Sequence, residues 1–413
     1  MEIPRSLLSE LTDAVNALSA SAQALAATAL DEIFKEWDGA DVTGLRVKCI
    51  EALEAIESAY CDTYAAGKAA EFYEGCRAAQ GVRGAFSAIA DSRRDPRALA
   101  GAVRAMIQYV RDGDTDRYRR ECLSRIDADV RRSANSCVAY NTRRDPKKPR
   151  YARVPTGGET CGFCLMLSSF GFHYTTEEAA GHAHDGCDCR VVPSFGKASV
   201  KGYDSDGMYS RYQDVLETLG GRDGIRAEWD ALPKEEREAY IASHGKKEGA
   251  AFQKYMNKRV SQEIEANGAE WFATGINVDA LDTSDFNKAA VRASFQMEAK
   301  TSDKVLKALD GYEIAAPKLE KYALSPDGDA NKARAFSGYL GYSASDSAEV
   351  AANVYAYVAD HAPEYRDSTP YGDRCTTEMV MMGKDGKSAK VKVGWIKDKD
   401  TGKMRLTTIF VDE

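Results

Sequence analysis

The middle of the chain reads Cys161-Gly162-Phe163-Cys164 and, after nineteen more residues, His184-Asp185-Gly186-Cys187-Asp188-Cys189. Two thiolates spaced C-x2-C can bind one metal ion from a tight turn, and ligands from a distant loop can complete a tetrahedron. Four of the ten cysteines fall within these 29 positions. The spacing therefore predicts a zinc site that holds an otherwise irregular segment together.

More candidate ligands are present than a tetrahedral site needs. They are Cys161, Cys164, His184, Cys187 and Cys189, with His182 as a weaker sixth. We expect the first two cysteines, His184 and one of the last two cysteines to bind the metal. A full ligand set leaves no position for a catalytic water, so we interpret the zinc as structural. Disulfides or thiols without metal are the alternatives.

The overall composition is that of an ordinary soluble protein of roughly two to three domains, with 413 residues, 44 % apolar and 29 % charged. The net charge of −8 disfavours a protein that coats nucleic acid by bulk positive charge. No stretch has the roughly 18–20 apolar residues of a membrane span, and the first residues lack the features of a secretory signal. We therefore expect a protein that is made in a cytosol, where thiols stay reduced.

Apolar periodicity predicts a helical N-terminal domain over residues 1–142. Apolar residues recur at helical spacing over 7–37 and again over 45–76, which indicates two long amphipathic helices. Pro96 suits the first turn of a third helix, and the same pattern from Tyr118 indicates a fourth.

Residues 143–200 are predicted to form a basic arm followed by the cysteine segment, and residues 201–316 a helical middle region and linker without a catalytic grouping. The arm is either a solvated linker or a contact for nucleic acid or an acidic partner. Its candidate contact residues are Arg143, Arg144, Lys147, Lys148 and Arg150.

Residues 317–413 are predicted to form a separate small α+β domain. Three β-like runs, 375–382, 389–396 and 404–411, are separated by turns rich in glycine and aspartate, which is typical of an antiparallel meander. The predicted fold class is thus mainly α, with a small zinc-stapled irregular segment, followed by a small C-terminal α+β domain.

The cysteine segment also resembles a known family. The run from Arg153 to Ser169, then Tyr174, and then the run from His184 to Pro193 are similar to the signature of MuF-like minor head proteins of tailed bacteriophages and prophages. The resemblance extends over roughly residues 10–195. Phe170 departs from the family pattern, which has an arginine there, but it is not a metal ligand.

This resemblance implies a minor capsid or head morphogenesis protein. Such a protein is portal-associated and lies in the capsid interior or at the portal vertex of the virion, after assembly in the host cytoplasm. The implied partners are the portal protein and the major capsid or scaffolding protein, and phage DNA is a further candidate.

Several motifs of the last domain carry a second resemblance: Leu319-x-x-Tyr322-x-Leu324, the run from Asn331 to Phe336, Leu340-Gly341-Tyr342, Tyr371-Gly372, Trp395 and the run from Arg405 to Thr408. Through them, residues 318–412 are similar to an uncharacterised domain that phage minor head proteins share with bacterial polymorphic toxins. The resemblance implies a toxin or enzyme cargo, for which a nuclease is the natural hypothesis. The candidate catalytic residues are Lys332, Arg334, Arg405 and Thr407, which could contact phosphate and stabilise a transition state. The alternative is an interaction module, since His361 is the only histidine here and general acid–base catalysis usually needs a histidine or a tuned carboxylate.

Overall fold

The computed structural model describes residues 2–156, 160–181, 186–196, 198–244, 247–296, 302–384 and 387–412. The chain divides into two compact units, residues 1–273 and 274–413. Each unit buries its own apolar residues. The first unit is mainly helical and the second contains a five-stranded sheet, so the predicted fold class is confirmed.

The first unit is built on long helices, and its strands are short. In chain order its elements are β1 (Glu2–Ile3), α1 (Arg5–Glu36), α2 (Val42–Glu57), α3 (Ala66–Ala79), α4 (Pro96–Arg111), α5 (Thr115–Arg144), β2 (Arg150–Val154), α6 (Gly162–Ser168), α7 (Glu177–Ala180), β3 (Arg190–Ser194), β4 (Ser199–Val200), α8 (Ser205–Thr218), α9 (Gly221–Ala231), α10 (Lys234–His244), α11 (Glu248–Asn267) and α12 (Ala269–Thr274). A π-helical segment, Ser58–Ala65, joins α2 to α3.

The N-terminal helices follow the apolar periodicity of the sequence. Along α1 the buried residues Leu8, Leu11, Val15, Ala22 and Leu30 share one face, which is the spacing of an amphipathic helix. Helix α4 begins with Pro96 at its first position, and the preceding aspartate accepts a backbone hydrogen bond as its N-cap. The four predicted helical stretches are all present.

The unit boundary differs from the predicted domain boundaries. Helix α5 continues to Arg144, and β2 begins at Arg150, so the predicted boundary at 142/143 lies inside a continuous part of the first unit. Strand β2 pairs antiparallel with β3, from Arg150 opposite Ser194 to Val154 opposite Arg190. The predicted helical middle region begins with the fourteen-residue helix α8.

The second unit packs helices against a mixed sheet. Its elements are α13 (Asp285–Gln296), α14 (Ser302–Gly311), β5 (Tyr312–Glu313), α15 (Ala316–Lys318), α16 (Ala330–Ala335), α17 (Ser347–Val358), β6 (Glu364–Thr369), β7 (Gly372–Met382), β8 (Ser388–Asp398) and β9 (Met404–Val411), with π-helical turns at Leu319–Ala323 and Phe336–Leu340. The strand order is β5-β9-β8-β7-β6. The pairs from β6 to β9 are antiparallel, as a meander requires, and β5 pairs parallel with β9.

The predicted start of the last domain, at residue 317, lies inside the second unit. Val278, Ala290, Val291 and Val305 come before it, yet they are buried in the same apolar cluster as the sheet residue Trp395. The reason is packing, because α13 and α14 bury their apolar faces in the second unit. Strand β6 also escaped prediction, because its residues are mostly exposed and carry no apolar alternation.

Candidate metal centre

Three buried cysteine side chains converge in the first unit. Cys164 lies in the first turn of α6, while Cys187 and Cys189 lie in the loop that leads into β3. Their sulfur atoms are separated by 3.6 Å (Cys164 to Cys187), 3.3 Å (Cys187 to Cys189) and 3.5 Å (Cys164 to Cys189). None of the ten cysteines forms a disulfide in the structure, so no disulfide accounts for this cluster.

These distances fit a shared metal ion. Zinc–sulfur bonds are about 2.3 Å long, so two sulfurs of one tetrahedron lie about 3.8 Å apart. Cys164, Cys187 and Cys189 form the group of described residues that could hold a metal ion. The structure thus brings both Cys187 and Cys189 to Cys164. The sequence analysis expected only one of these two cysteines to bind the metal.

A fourth ligand could come from either of two predicted residues. Cys161 is the N-cap of α6 and packs against the three thiols, with its sulfur accepting the backbone N–H of Cys164 at 3.4 Å. His184 lies outside the described residues, as does His182. The sequence analysis expected both Cys161 and His184 to bind the metal, and this part of the ligand set stays a prediction.

A buried guanidinium contacts the thiol cluster directly. Arg153, on β2, is fully buried, and its Nη2 donates to Cys189 Sγ at 2.7 Å while its Nη1 donates to the Ala180 carbonyl at 3.1 Å. Although burial acts to lower its pKa, the charges of the three cysteines raise the pKa of Arg153 above its ordinary value. A buried cation needs a negative partner, and three neutral thiols would not supply one.

A metal–thiolate centre would account for a buried cation at this cluster. Several thiolates around a divalent ion carry net negative charge, which the guanidinium of Arg153 offsets. N–H donors to the sulfurs are the kind of outer contact that orients metal ligands. The donor set and the burial both fit a closed, structural site.

Helix α5 contacts the loop that carries Cys187 and Cys189 and fixes its backbone. Asn135 donates to the Cys189 carbonyl at 3.2 Å and accepts the backbone N–H of Val191 at 3.1 Å, so one amide fixes the backbone on both sides of Arg190. Arg131 donates to the Cys187 carbonyl at 3.2 Å. The fully buried Arg190 donates to the same carbonyl at 3.3 Å. Burial lowers the pKa of Arg190.

Helix α11 packs closely against Gly162, in the turn that carries Cys161 and Cys164. A Cβ atom at this position would lie 2.3 Å from the carbonyl oxygen of Ser261, so a side chain does not fit. The backbone N–H of Gly162 also donates to Glu265 at 3.1 Å. The turn that carries Cys161 and Cys164 is thus fixed on a helix about a hundred residues away in sequence.

The predicted basic arm is an ordered helix end and turn. Arg143 and Arg144 form the last turn of α5, and the next residue, Asp145, is fully buried. Asp145 accepts hydrogen bonds from Tyr73 at 3.1 Å and from Arg77. It also caps the turn by accepting the backbone N–H of Lys147 at 2.8 Å.

The cations of this segment differ in what they contact. Arg143 pairs with Glu177 at 3.1 Å, whereas the guanidinium of Arg144 lies over the rings of Tyr140 and Phe86. Lys147, Lys148 and Arg150 are exposed. The segment therefore presents three neighbouring cations to solvent from a hydrogen-bonded turn.

In the second unit, the four candidate catalytic residues are not joined by any hydrogen bond among the described residues. Lys332 donates to Thr408 at 2.8 Å and lies over the rings of Tyr322 and Phe410. Thr407 donates to the Gly394 carbonyl at 2.9 Å. Arg334 and Arg405 are exposed. His361 stacks on Tyr357 and contacts its carbonyl.

Sequence reasoning missed the buried charges. Arg153 and Arg190 lie in short, otherwise apolar runs next to the cysteines, and a cation in such a run was the available sequence signal.

A second group of buried charges lies near the π-helical segment. It contains Glu57, which is 1 % exposed, and Asp129, which is 3 % exposed. Burial and then the neighbouring Asp129 raise the pKa of Glu57 to about 8.

The fold and the cluster together define a mainly helical protein with a candidate metal-binding centre and a separate α+β unit. A family model described as VG15 protein matches residues 5–215, slightly more than half of the chain. The chain therefore belongs to the VG15 protein family, which is associated with phages. The matched residues include α1 to α7, most of α8 and all four clustered cysteines.

A second family model, described as a domain of unknown function (DUF6883), matches residues 305–413. It covers the sheet of the second unit and leaves out α13. No curated protein and no solved structure matches the chain. Within the described residues, no helix combines the length and the apolar content that a membrane-spanning helix needs.

Proposed function

We propose that this chain is a minor capsid or head morphogenesis protein of a tailed bacteriophage or prophage. The observation that carries the proposal is the coincidence of the VG15 match with the thiol cluster, since both lie in the helical first unit. In this proposal the first unit docks on the portal protein and on the major capsid or scaffolding protein. The protein then resides in the capsid interior or at the portal vertex.

The metal, which we propose is zinc, has a structural role here. It would join the α6 turn to the loop before β3. Cys164, Cys187 and Cys189 supply three ligands, and Cys161 or His184 supplies the fourth. Soft sulfur ligands with no vacant position suit structural zinc. When bound, the ion would cross-link the two segments and supply the positive charge that its thiolate ligands need.

Purified particles provide the test of the virion role. Quantitative mass spectrometry of DNA-filled heads and of procapsids from the encoding phage should find the chain in both, at far fewer copies than the major capsid protein. A tagged chain should also retain the portal protein after stringent washing. Absence of the chain from both kinds of particle contradicts the proposal.

Elemental analysis of the reduced, purified chain tests the metal site independently. We expect one zinc per chain, which is lost in the Cys161→Ser/Cys164→Ser and Cys187→Ser/Cys189→Ser variants. The matched control is Cys122→Ser/Cys137→Ser, which removes two buried thiols of the same unit outside the cluster. If a different metal is found, the site is real but the ion is not zinc. If the wild type contains no metal, the proposed metal site is wrong.

A second candidate function concerns the second unit, which has its own core and its own family match. In this alternative the unit is a toxin or nuclease cargo, and Lys332, Arg334, Arg405 and Thr407 contact phosphate. Expression of residues 274–413, rather than a shorter fragment, keeps Val291 and Val305 in the core. Growth arrest that the Arg334→Ala/Arg405→Ala variant abolishes supports a toxin, and normal growth contradicts it.

A further inference from the structure

A cleft of about 700 Å³ opens on the second unit. Three parts of the chain form its walls: residues 281–287 at the start of α13, residues 306–310 in α14, and residues 312–317 around β5. Its volume lies in the range of sites that enclose small molecules or a few side chains of a partner.

The cleft combines an apolar lining with carboxylates. Phe286, Leu306 and Leu309 are among the apolar residues, whereas Asp282, Asp310 and Glu313 bring three negative charges. One cation, Lys403, also lines it. The lining is therefore net negative and amphipathic.

The three carboxylates are available to a ligand. Asp282, Asp310 and Glu313 are exposed, and none of them has an ion-pair partner among the described residues. Asp279, close to Asp282 in sequence, is by contrast paired with Arg292. The three carboxylates also do not converge as a metal-binding group. Separated acidic groups suit an extended cationic ligand better than a single ion.

Hydrogen bonds hold the walls in place before any ligand arrives. The backbone N–H of Ile314 donates to the Tyr355 hydroxyl at 3.1 Å, which fixes the β5 wall on α17. The Asn287 side chain donates to Thr283 at 3.1 Å, which fixes the start of α13. A preformed cleft costs a ligand less ordering on binding.

We propose that this cleft binds a short segment of a partner protein in which an arginine or lysine lies next to leucine-like side chains. The apolar residues would cover the aliphatic side chains, and the carboxylates would pair with the cation. Charge complementarity selects the basic segment, and the apolar lining selects a peptide over a bare cation. The proposal is independent of the virion role proposed above.

A peptide library on the immobilised full-length chain tests this directly. The probes are acetylated hexapeptides with Leu-Arg-Leu or Leu-Lys-Leu at the centre and random flanks, and mass spectrometry reads the retained peptides. The affinity of the best peptide is then measured by fluorescence anisotropy. The cleft variants are Asp310→Asn/Glu313→Gln, which removes two charges, and Ala315→Trp, which fills the cleft without a charge change.

The charge-matched control is Asp327→Asn/Glu364→Gln, because both residues are exposed and neither lines the cleft. We expect the first cleft variant to bind about tenfold more weakly, as the loss of two partly exposed ion pairs implies. Ala315→Trp should abolish binding, and the control should match the wild type. Circular dichroism of each variant verifies the fold.

Three results would overturn the proposal. The library yields no enriched peptide; or the cleft and control charge variants weaken binding equally, so that bulk acidity attracts the peptide; or spermine competes as well as the peptide, in which case the site takes a bare cation.

Discussion

The two units of this chain are stabilised by different kinds of interior. In the first unit the buried residues include seven charged ones: Glu57, Arg77, Asp127, Asp129, Asp145, Arg153 and Arg190. Within the described part of the second unit, the buried polar residues are Ser294, Ser347 and Thr377, and none is charged. Buried ions need partners, so the first unit depends on its electrostatic balance, whereas the second depends on apolar packing alone.

Metal removal gives the largest expected difference between the units. A strong chelator under reducing conditions should destabilise the first unit by on the order of 5 kcal/mol, because metal binding contributes directly to folding. Hydrogen exchange should rise in β2, α6 and β3. The second unit should be unaffected, and it serves as the internal control. Equal exchange in the presence and absence of chelator would contradict the metal-based account.

Removal of the buried guanidinium comes next. Arg153→Met should cost about 3–5 kcal/mol of unfolding free energy and weaken metal retention, because the thiolates lose their buried counter-charge. Arg150→Met is the matched control, since Arg150 lies on the same strand and is exposed. Urea unfolding and metal competition measure both effects. If the two variants behave alike, Arg153 is not part of the charge balance.

Glu57 provides a smaller effect, and one with a definite pH dependence. Its pKa is raised to about 8 from an ordinary 4.5. As the pH increases, the unfolded state therefore loses this proton at a lower pH than the folded state does. Stability from this group is therefore complete below about pH 4.5 and falls as the pH rises toward 8.

Glu57→Gln should remove this fall and stabilise the first unit by on the order of 2 kcal/mol at the alkaline end. The groups that face Glu57 are Asp129, Arg94, Arg125 and Cys61. Glu51→Gln, on the exposed face of the same helix, is the control. Urea unfolding as a function of pH makes the measurement, and an unchanged slope in Glu57→Gln assigns the pH dependence elsewhere.

The smallest effect on stability is expected at the surface. Lys147→Glu/Lys148→Glu/Arg150→Glu should change the unfolding free energy by no more than about 0.5 kcal/mol. If the segment contacts DNA inside the head, the variant should lose salt-dependent DNA binding in an anisotropy titration. Arg97→Glu/Arg104→Glu/Arg111→Glu, exposed on α4, carries the same charge change. Equal losses in both variants indicate general charge repulsion.

Much of the fold was predictable because it rests on local patterns. The face of α1 and the start of α4 at Pro96 follow from periodicity and capping, and the three meander strands follow from alternation. The unit boundary was not predictable, because it depends on where α13 and α14 bury their apolar faces. Strand β5, two residues long, gains its structure only by pairing with β9.

The candidate metal site, like the fold, has a part that the sequence predicted and a part that it did not. Ligand spacing identified Cys164, Cys187 and Cys189, because chelation from a tight turn leaves a mark in the sequence. The burial of Arg153 against Cys189 left a weaker mark, a cation within an otherwise apolar run, because a cation in a strand is ordinarily exposed. Tertiary contacts alone reveal which cations are internal.

The close fit between Gly162 and α11 joins a part of the chain inside the VG15 match to a part outside it. Gly162 lies within the VG15 match at residues 5–215, whereas its neighbours Ser261 and Glu265 lie beyond the match. A relative with any side chain at position 162 cannot keep α11 where it is here. Loss of this glycine and loss or displacement of α11 should therefore occur together among VG15 proteins, and position 162 becomes a marker for how each relative completes its C-terminal half.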